Sequence, residues 1–435
     1  MAPDLDGDLG VDVLIVGAGI QGLYIARELA RTYTVCVVSD PAIRAATLES
    51  TGYLSAGYDG NDANRIQPAR RAAGWWRLWA ETHAVDVAAE RPWYVVDPAE
   101  VSSRTRLWDD AMLTATQADA LPECLTGGSL SGDLAFVAEA DLVLNPATVL
   151  DHLREGLESR CIEGEVLRFG LASDDVIDHV QVQVGDQVVP IVPRFVVLAA
   201  GVGNATLLTQ LGSRFGDQAK RKSGKELADG SQAVRSQPML CLRGPGLPDL
   251  SGRFGDLTIA SHPLTDSRDR VWLVAAPVDD LLTTVGPENV RFERPIDPAV
   301  VARTVEQLFA MSPPIEQQAA DLEWSFYVAR RTQHPVLAGP DTSAVAQPVP
   351  AKIEKFGLDA FLAVWPSHLA YAQFVGDSVS ERVTEALGAA QDFSDGATPD
   401  DLGVAAPPLR ARWDRPDFGW LDWAAFTRAH ALDRS

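Results

Sequence analysis

Three glycines near the start of the chain are spaced for anion chemistry. Gly17, Gly19 and Gly22 fit G-x-G-x-x-G, with Ala18, Ile20 and Gln21 between them. In such a turn the first glycine permits a tight bend, the second lets a diphosphate approach the backbone, and the third lets a helix lie close on a strand. The unpaired N–H groups at the helix start add partial positive charge. An acidic residue about 20 positions further on holds the ribose hydroxyls of a dinucleotide in units of this kind. Ser39-Asp40 stands there, and Asp40 is the candidate. Small residues follow, Ser50-Thr51-Gly52 and Ser55-Ala56-Gly57-Tyr58, which suit a backbone close to a ligand. No other constellation competes. Cys36, Cys124, Cys161 and Cys241 lack metal spacing, the seven histidines are dispersed, and neither G-x-S-x-G nor a P-loop occurs.

These residues need elements to hold them. Val11–Val16 is rich in β-branched residues and reads as a buried parallel strand. Leu23, Ala26, Leu29 and Ala30 recur at helical spacing, and Thr34–Val38 is a second strand, so the glycines sit in a βαβ start. Residues 63–84 read as a helix in which Pro68 marks a break or a first turn. Asn145-Pro146 leads into a helix from Ala147 to Glu158. Three β-rich runs follow, Gly164–Phe169, Val176–Val184 and Gln187–Val192, and then a separate buried strand Phe195–Gly201 with a helix to about Leu211. Residues 213–237 break the pattern with a basic knot, Lys220, Arg221, Lys222 and Lys225, which reads as a surface loop or a lid for an anion. Strands are expected at Met239–Arg243, Leu257–Ala260, Arg270–Val274 and Leu322–Arg330, with a helix Pro298–Met311. Residues 336–358 read as loop. A strand Ala360–Trp365 then leads through Pro366-Ser367-His368 into a helix from Leu369 to Leu387. Trp413, Trp420 and Trp423 imply a tail that docks on the body.

Composition sets the class. The 435 residues allow two or three domain-sized units, and the balance of 37 basic and 60 acidic residues gives a net charge of −23. That charge argues against nucleic acid and against anionic membrane surfaces. No apolar run approaches a membrane span, and the start lacks a basic signal-peptide region. Four scattered cysteines fit free thiols in a reducing cytoplasm.

The chain resembles the FAD-dependent D-amino acid oxidase superfamily, which includes glycine and sarcosine oxidases and glycerol-3-phosphate dehydrogenases. The resemblance runs over most of residues 11–386. It rests on Gly17-Ala18-Gly19-Ile20-Gln21-Gly22-Leu23, Ser55-Ala56-Gly57, Asn145-Pro146, Val196-Val197-Leu198-Ala199-Ala200-Gly201, Pro238-Met239-Leu240 and the stretch Trp365–Tyr371. It implies an α/β fold: a Rossmann-like FAD-binding domain of discontinuous segments (1–92, 145–237 and 336–388) and an α+β substrate domain with a large mixed sheet (93–144 and 238–335). Residues 389–435 form the docked tail. By the resemblance, Gly17, Gly19, Ile20, Gln21, Gly22, Ser39 and Asp40 hold the ADP half. Ser55, Ala56 and Gly57 lie near the flavin, Val166 near the adenine, and Ala200 and Gly201 near the pyrophosphate. Pro366, Ser367 and His368 match a turn facing the pyrimidine end, without its usual glycines. Relatives that attach flavin covalently use a histidine where this chain has Leu54, so FAD is expected to be non-covalent.

Such enzymes remove a hydride from a carbon bearing nitrogen or oxygen and deliver it to flavin N5, with the cofactor supplying the chemistry. An anionic substrate needs a cation, and the fork of an arginine matches a carboxylate. The family's arginine lies on a late strand after a tryptophan. Trp324-Ser325-Phe326-Tyr327-Val328-Ala329-Arg330-Arg331 fits that place, and strand alternation lets only one of the pair face the flavin, with Arg331 preferred. His334, His368, Tyr58, Tyr327 and Tyr371 are further candidates for substrate contact. The expected function is oxidation of a C–N bond of a small amine or amino acid, with oxygen or another acceptor taking the electrons. The alternatives are oxidation of a hydroxy acid or glycerol phosphate, and a flavin-carrying subunit without turnover.

Overall fold

The computed structural model describes residues 8–173, 176–212, 233–264, 269–276, 282–283, 297–333, 351–354, 358–366, 369–391, 409–415 and 418–432. The chain opens with β1 (Leu9–Val16), α1 (Ile20–Leu29) and β2 (Val35–Ser39). On β1, Val13 and Ile15 enter one apolar core while Leu14 and Val16 enter another, and Val35/Val37 and Cys36/Val38 alternate likewise on β2. A sheet covered on both faces requires such uninterrupted apolar runs.

Among the described residues this sheet has eight strands. Its parallel centre runs Phe361–Pro366, Gln187–Leu198, β1, β2 and Cys161–Glu163. Thus five strands from distant parts of the chain share one direction. The expected gap between Val192 and Phe195 is absent, because Gln187–Leu198 is one strand. Its first half pairs antiparallel with Val176–Val184, and its last residues pair parallel with Phe361–Ala363. Ala351–Glu354, expected as loop, pairs antiparallel with Phe361–Pro366. Helix Ala372–Leu387 packs on α1, where a Cβ on Gly376 would lie 2.2 Å from the Tyr24 ring.

A second sheet has ten strands among the described residues. Its centre is Ala233–Gly244, paired antiparallel on either side with Glu323–Gln333 and Arg270–Ala275. The first of these begins within the expected loop, since residues 233–237 are already strand; residues 213–232, with the basic knot, lie outside the described residues. Helix Pro298–Met311 covers one face through Val301, Val305 and Leu308. It starts from Asp297, whose carboxylate accepts from the Ala299 N–H at 2.9 Å, and Pro298 occupies the first turn.

A third, three-stranded sheet among the described residues joins β3 (Tyr53–Leu54), Leu142–Leu144 and Val87–Ala89, and α2 (Ala63–His83) follows β3. Pro68 lies inside α2 and does not end it. Pro68 is past the orphan N–H donors of the first turn, so it costs the helix one i→i−4 bond, and the 21-residue helix continues beyond it. The last described segment docks on the body: Leu421–Asp422 extends the second sheet beside Glu323–Trp324, and the Trp423 ring lies 4.9 Å from that of Trp324. Among the described residues no helix is long and apolar enough to cross a membrane.

Candidate functional site

The parallel strands of the first sheet all end on one side. β1 runs into Gly17, β2 into Asp40, Cys161–Glu163 into Gly164, and Gln187–Leu198 into Ala199-Ala200-Gly201. Ligands of open α/β sheets lie outside such ends. A cavity of about 640 Å³ lies there. Gly17, Gly19, Ile20, Gln21, Ser39, Asp40, Ser55, Val166, Ala200 and Gly201 all line it.

The glycine turn has separable parts. The Gly17 N–H donates to Val38 O at 2.7 Å, and its φ of +116° is one that side chains rarely adopt. Gly22 does not line the cavity. A Cβ there would sit 1.8 Å from Gly17 O, so this glycine seats α1 against the turn. A Cβ on Gly19 would meet nothing nearer than Thr47 Oγ1 at 3.7 Å, which leaves that position open to a ligand. The Ile20 N–H donates to Thr47 Oγ1 at 3.2 Å. Gln21 is 4% exposed, and both its Nε2 and Oε1 lack a partner among the described residues. A buried amide in this state is costly. It fits a bound molecule with hydrogen-bonding atoms, as does a cradle that admits backbone but no side chain.

The far wall belongs to the second sheet and includes Gln237, Met239, Arg253, Thr258, Arg330 and Thr332. Arg330 and Thr332 are two apart on one strand and share a face, and a Cβ built on Gly201 would lie 3.5 Å from Thr332 Oγ1. The late arginine that lines the cavity is therefore Arg330. Arg331 pairs through its backbone with Arg235, and its side chain lies outside the described residues.

Three tyrosines are not where substrate contact would need them. The Tyr58 hydroxyl donates to Thr114 O and accepts from the Ala140 N–H at 3.1 Å. The Tyr327 hydroxyl donates to Glu49 O at 2.8 Å. Tyr371 is buried at the N-cap of the helix Ala372–Leu387, and none of the three lines the cavity. Their rings were drawn into the core by the area they bury. Ala56 and Gly57 also lie behind the wall. The Ala56 N–H donates to Asp141 Oδ1 at 2.5 Å, and the Gly57 N–H donates to Ser55 Oγ at 3.1 Å. Pro366 pairs through its backbone with Ala351, while His334, Ser367 and His368 lie outside the described residues.

Other site residues had no short-range signal. Glu49 is 2% exposed and lines the cavity. Its Oε1 takes Arg412 Nη1 at 2.7 Å, and its Oε2 accepts from the Arg330 N–H at 3.3 Å. Arg412 also lies over the Tyr327 ring, 4.5 Å from its centroid. Next to it, Trp413 packs on His262, whose Nε2–H donates to Thr51 O at 2.9 Å. Burial lowers the His262 pKa from 6.5 to about 4, with Arg270 adding to the effect against the Thr51 bond. A base with a depressed folded-state pKa gives stability that is present above pH 6.5 and lost as pH falls toward 4. The wild type is therefore expected to lose on the order of 3 kcal/mol across that window from this group. His262→Gln should show a shallower slope in denaturant melts over the same range.

A second cluster stands at Tyr53 and Arg253, which both line the cavity. Asp141 is fully buried, and its Oδ2 accepts from the Tyr53 hydroxyl at 2.6 Å. Burial pushes the Asp141 carboxyl up to about 7, against the lowering effect of the Tyr53 and Ala56 hydrogen bonds. Arg253 is ion-paired with Asp59.

Comparison with known proteins agrees with this geometry. No curated protein matches the chain. Solved structures share its fold: an FAD dependent oxidoreductase from Pseudomonas aeruginosa aligns with a TM-score of 0.65 at 21% identity, covering 94% of this chain and 98% of its own. Iminodiacetate oxidase from Chelativorans sp. aligns at 0.62 and 16%, covering 89% and 98%. Glycine oxidase from Geobacillus kaustophilus aligns at 0.60 and 16%, covering 90% and 98%. The family model described as DAO, FAD dependent oxidoreductase, matches residues 12–350. With a glycine cradle at the sheet's C-terminal edge and a match over most of its length, the chain belongs to the DAO family of FAD dependent oxidoreductases.

Proposed function

We propose that the protein oxidises a C–N bond of a small amine or amino acid, with hydride transfer to flavin N5 and hydrolysis of the imine afterwards. Bound FAD supplies the electron acceptor. The Gly17–Gly22 turn, Gln21 and Asp40 hold its ADP half, while Ser55 and the far wall lie toward the flavin. In this reading residues 1–92, 145–237 and 336–388 serve the cofactor, and 93–144 and 238–335 serve the substrate. Leu54 is fully buried and offers only carbon, which supports non-covalent binding. The described cysteines are all free, which supports a cytoplasmic setting. Oxygen or another acceptor takes the electrons.

The observation that carries the reading is Arg330 on the cavity face of a strand whose next inward residue lies beside Gly201. A guanidinium there can orient a carboxylate with paired hydrogen bonds. The glycine oxidase and iminodiacetate oxidase of like fold have amino acid substrates by name. The test is the flavin spectrum under anaerobic conditions, with glycine, L-proline and iminodiacetate set against glycolate and glycerol 3-phosphate. Bleaching by an amine supports the reading; bleaching only by the hydroxy compounds sinks it. Arg330→Met is expected to raise the half-saturating concentration of a carboxylate substrate about 100-fold with flavin content unchanged, as removing one partner of a desolvated charge pair costs roughly 2–5 kcal/mol.

A further inference from the structure

Asp141 is a fully buried carboxylate that stands just before the strand Leu142–Leu144 and accepts from Tyr53 on the neighbouring strand β3. Tyr53 is a residue of the cavity wall. Since the Tyr53 proton is committed to Asp141, its oxygen has only lone pairs left to offer. Such an oxygen suits an N–H donor and repels a carboxylate. Arg253, on the same wall and ion-paired with Asp59, presents the complementary donor.

We propose, on the reading that the substrate is an amine, that Tyr53 and Asp141 form a proton relay that neutralises the substrate's ammonium group before oxidation. An ammonium nitrogen has no lone pair to assist departure of a hydride from the adjacent carbon. One ammonium N–H proton passes to Tyr53 Oη as the Tyr53 hydroxyl proton passes to Asp141 Oδ2. Tyrosine ends neutral, aspartate ends protonated, and the amine ends with its lone pair free; no electrons leave the set. After product leaves, Asp141 returns a proton to Tyr53 as Tyr53 gives one to solvent water, which resets the pair for the next ammonium.

The surroundings of Asp141 fit an acceptor that works near neutrality. Its carboxyl takes two protein hydrogen bonds, from Tyr53 and from the Ala56 N–H. Asp59, in the loop after β3, opposes its ionisation, and Arg253, from the second sheet, favours it. Arg77 of α2 donates to the main-chain O of Asp141 at 2.9 Å and to Glu139 O at 3.0 Å, and so does not neutralise the carboxylate through a direct bond. Asp141 and Glu139 both raise the Tyr58 hydroxyl's pKa further, on top of its burial. Burial dominates, and a carboxyl at about 7 is divided between its two forms where enzymes work.

The test follows flavin bleaching in the holoenzyme, mixed anaerobically with glycine, L-proline or iminodiacetate, from about pH 6 to about pH 10. Tyr53→Phe keeps the ring and deletes only the hydroxyl. It is expected to bleach about 100-fold more slowly than wild type near neutrality and to recover toward the wild-type rate at the alkaline end, where the amine arrives neutral without help. Asp141→Asn should show the same recovery; Tyr53→Phe alone is decisive if Asp141→Asn does not fold. A structural role predicts loss at every pH, so profiles parallel to wild type overturn the relay while leaving amine oxidation standing. If no amine bleaches the wild type at any pH, the functional reading fails and takes the relay with it.

Discussion

Gly22→Ala is expected to yield a protein with little or no bound flavin and a melting point lowered by several degrees. The added carbon would sit 1.8 Å from Gly17 O and 2.9 Å from Gly17 C, far inside contact distance. Neither side can yield cheaply. Gly17 is pinned by its hydrogen bond to Val38 O, and a Cβ on it would already meet Ala199 O at 2.4 Å. Relief must come from α1, which is packed against the helix Ala372–Leu387 and buries Leu23, Ile25 and Ala26. Overpacking of this kind costs about 1–3 kcal/mol in stability. It also tips the helix start away from the diphosphate it should face. Gly19→Ala is the control, because its Cβ meets only Thr47 Oγ1 and Ala45 Cβ, both at ordinary distance. That variant should keep the wild-type melting point and lose affinity for FAD alone. Paired melts and flavin spectra of the two variants separate seating from binding, and a yellow, fully stable Gly22→Ala would refute the account.

Arg412→Met is expected to destabilise the protein by about 3–5 kcal/mol, the usual result of stripping one partner from a buried ion pair. Glu49 is 3% exposed in its side chain and Arg412 12%, so no solvent takes the place of the lost cation. The effect should reach the cavity, because Glu49 lines it and also accepts from the Arg330 N–H. Weaker flavin retention should therefore accompany the lower melting point. The double variant Arg412→Met/Glu49→Gln should recover most of the stability, since an amide left in the same place carries no charge. Denaturant melts of the two single variants and the double variant give the coupling directly. A single variant as stable as wild type would show that this last segment is decoration and no part of the cavity wall.

The residues whose placement was legible in the sequence are those whose position depends on near neighbours. A G-x-G-x-x-G turn works through a strand that ends one residue earlier and a helix that starts one residue later. Gly17, Gly22 and Asp40 could thus be placed from about 30 residues of chain, and the cavity lies against that turn. The same holds for Ala200 and Gly201, at the end of another buried strand. Boundaries were less legible where partners changed. Gln187–Leu198 looked like two strands because Pro193-Arg194 separates two apolar runs, yet neighbours on both edges carry it through. Residues 351–354 looked like loop because nothing local shows that Phe361–Pro366 has a free edge to offer them.

The sequence by itself determined the glycine turn and the buried parallel strands around it, because helix and strand periods and glycine geometry are local properties; the family was legible through the resemblance of separate motifs in their order along the chain. Only the tertiary structure decided that Arg330 faces the cavity, that Tyr58 and Tyr327 spend their hydroxyls on main-chain oxygens, and that Glu49 meets Arg412. Those outcomes depend on where two sheets meet, and on residues 363 positions apart being brought within 2.7 Å. No spacing along the chain carries that information, since burial area and charge pairing are settled between faces that assemble from separate segments.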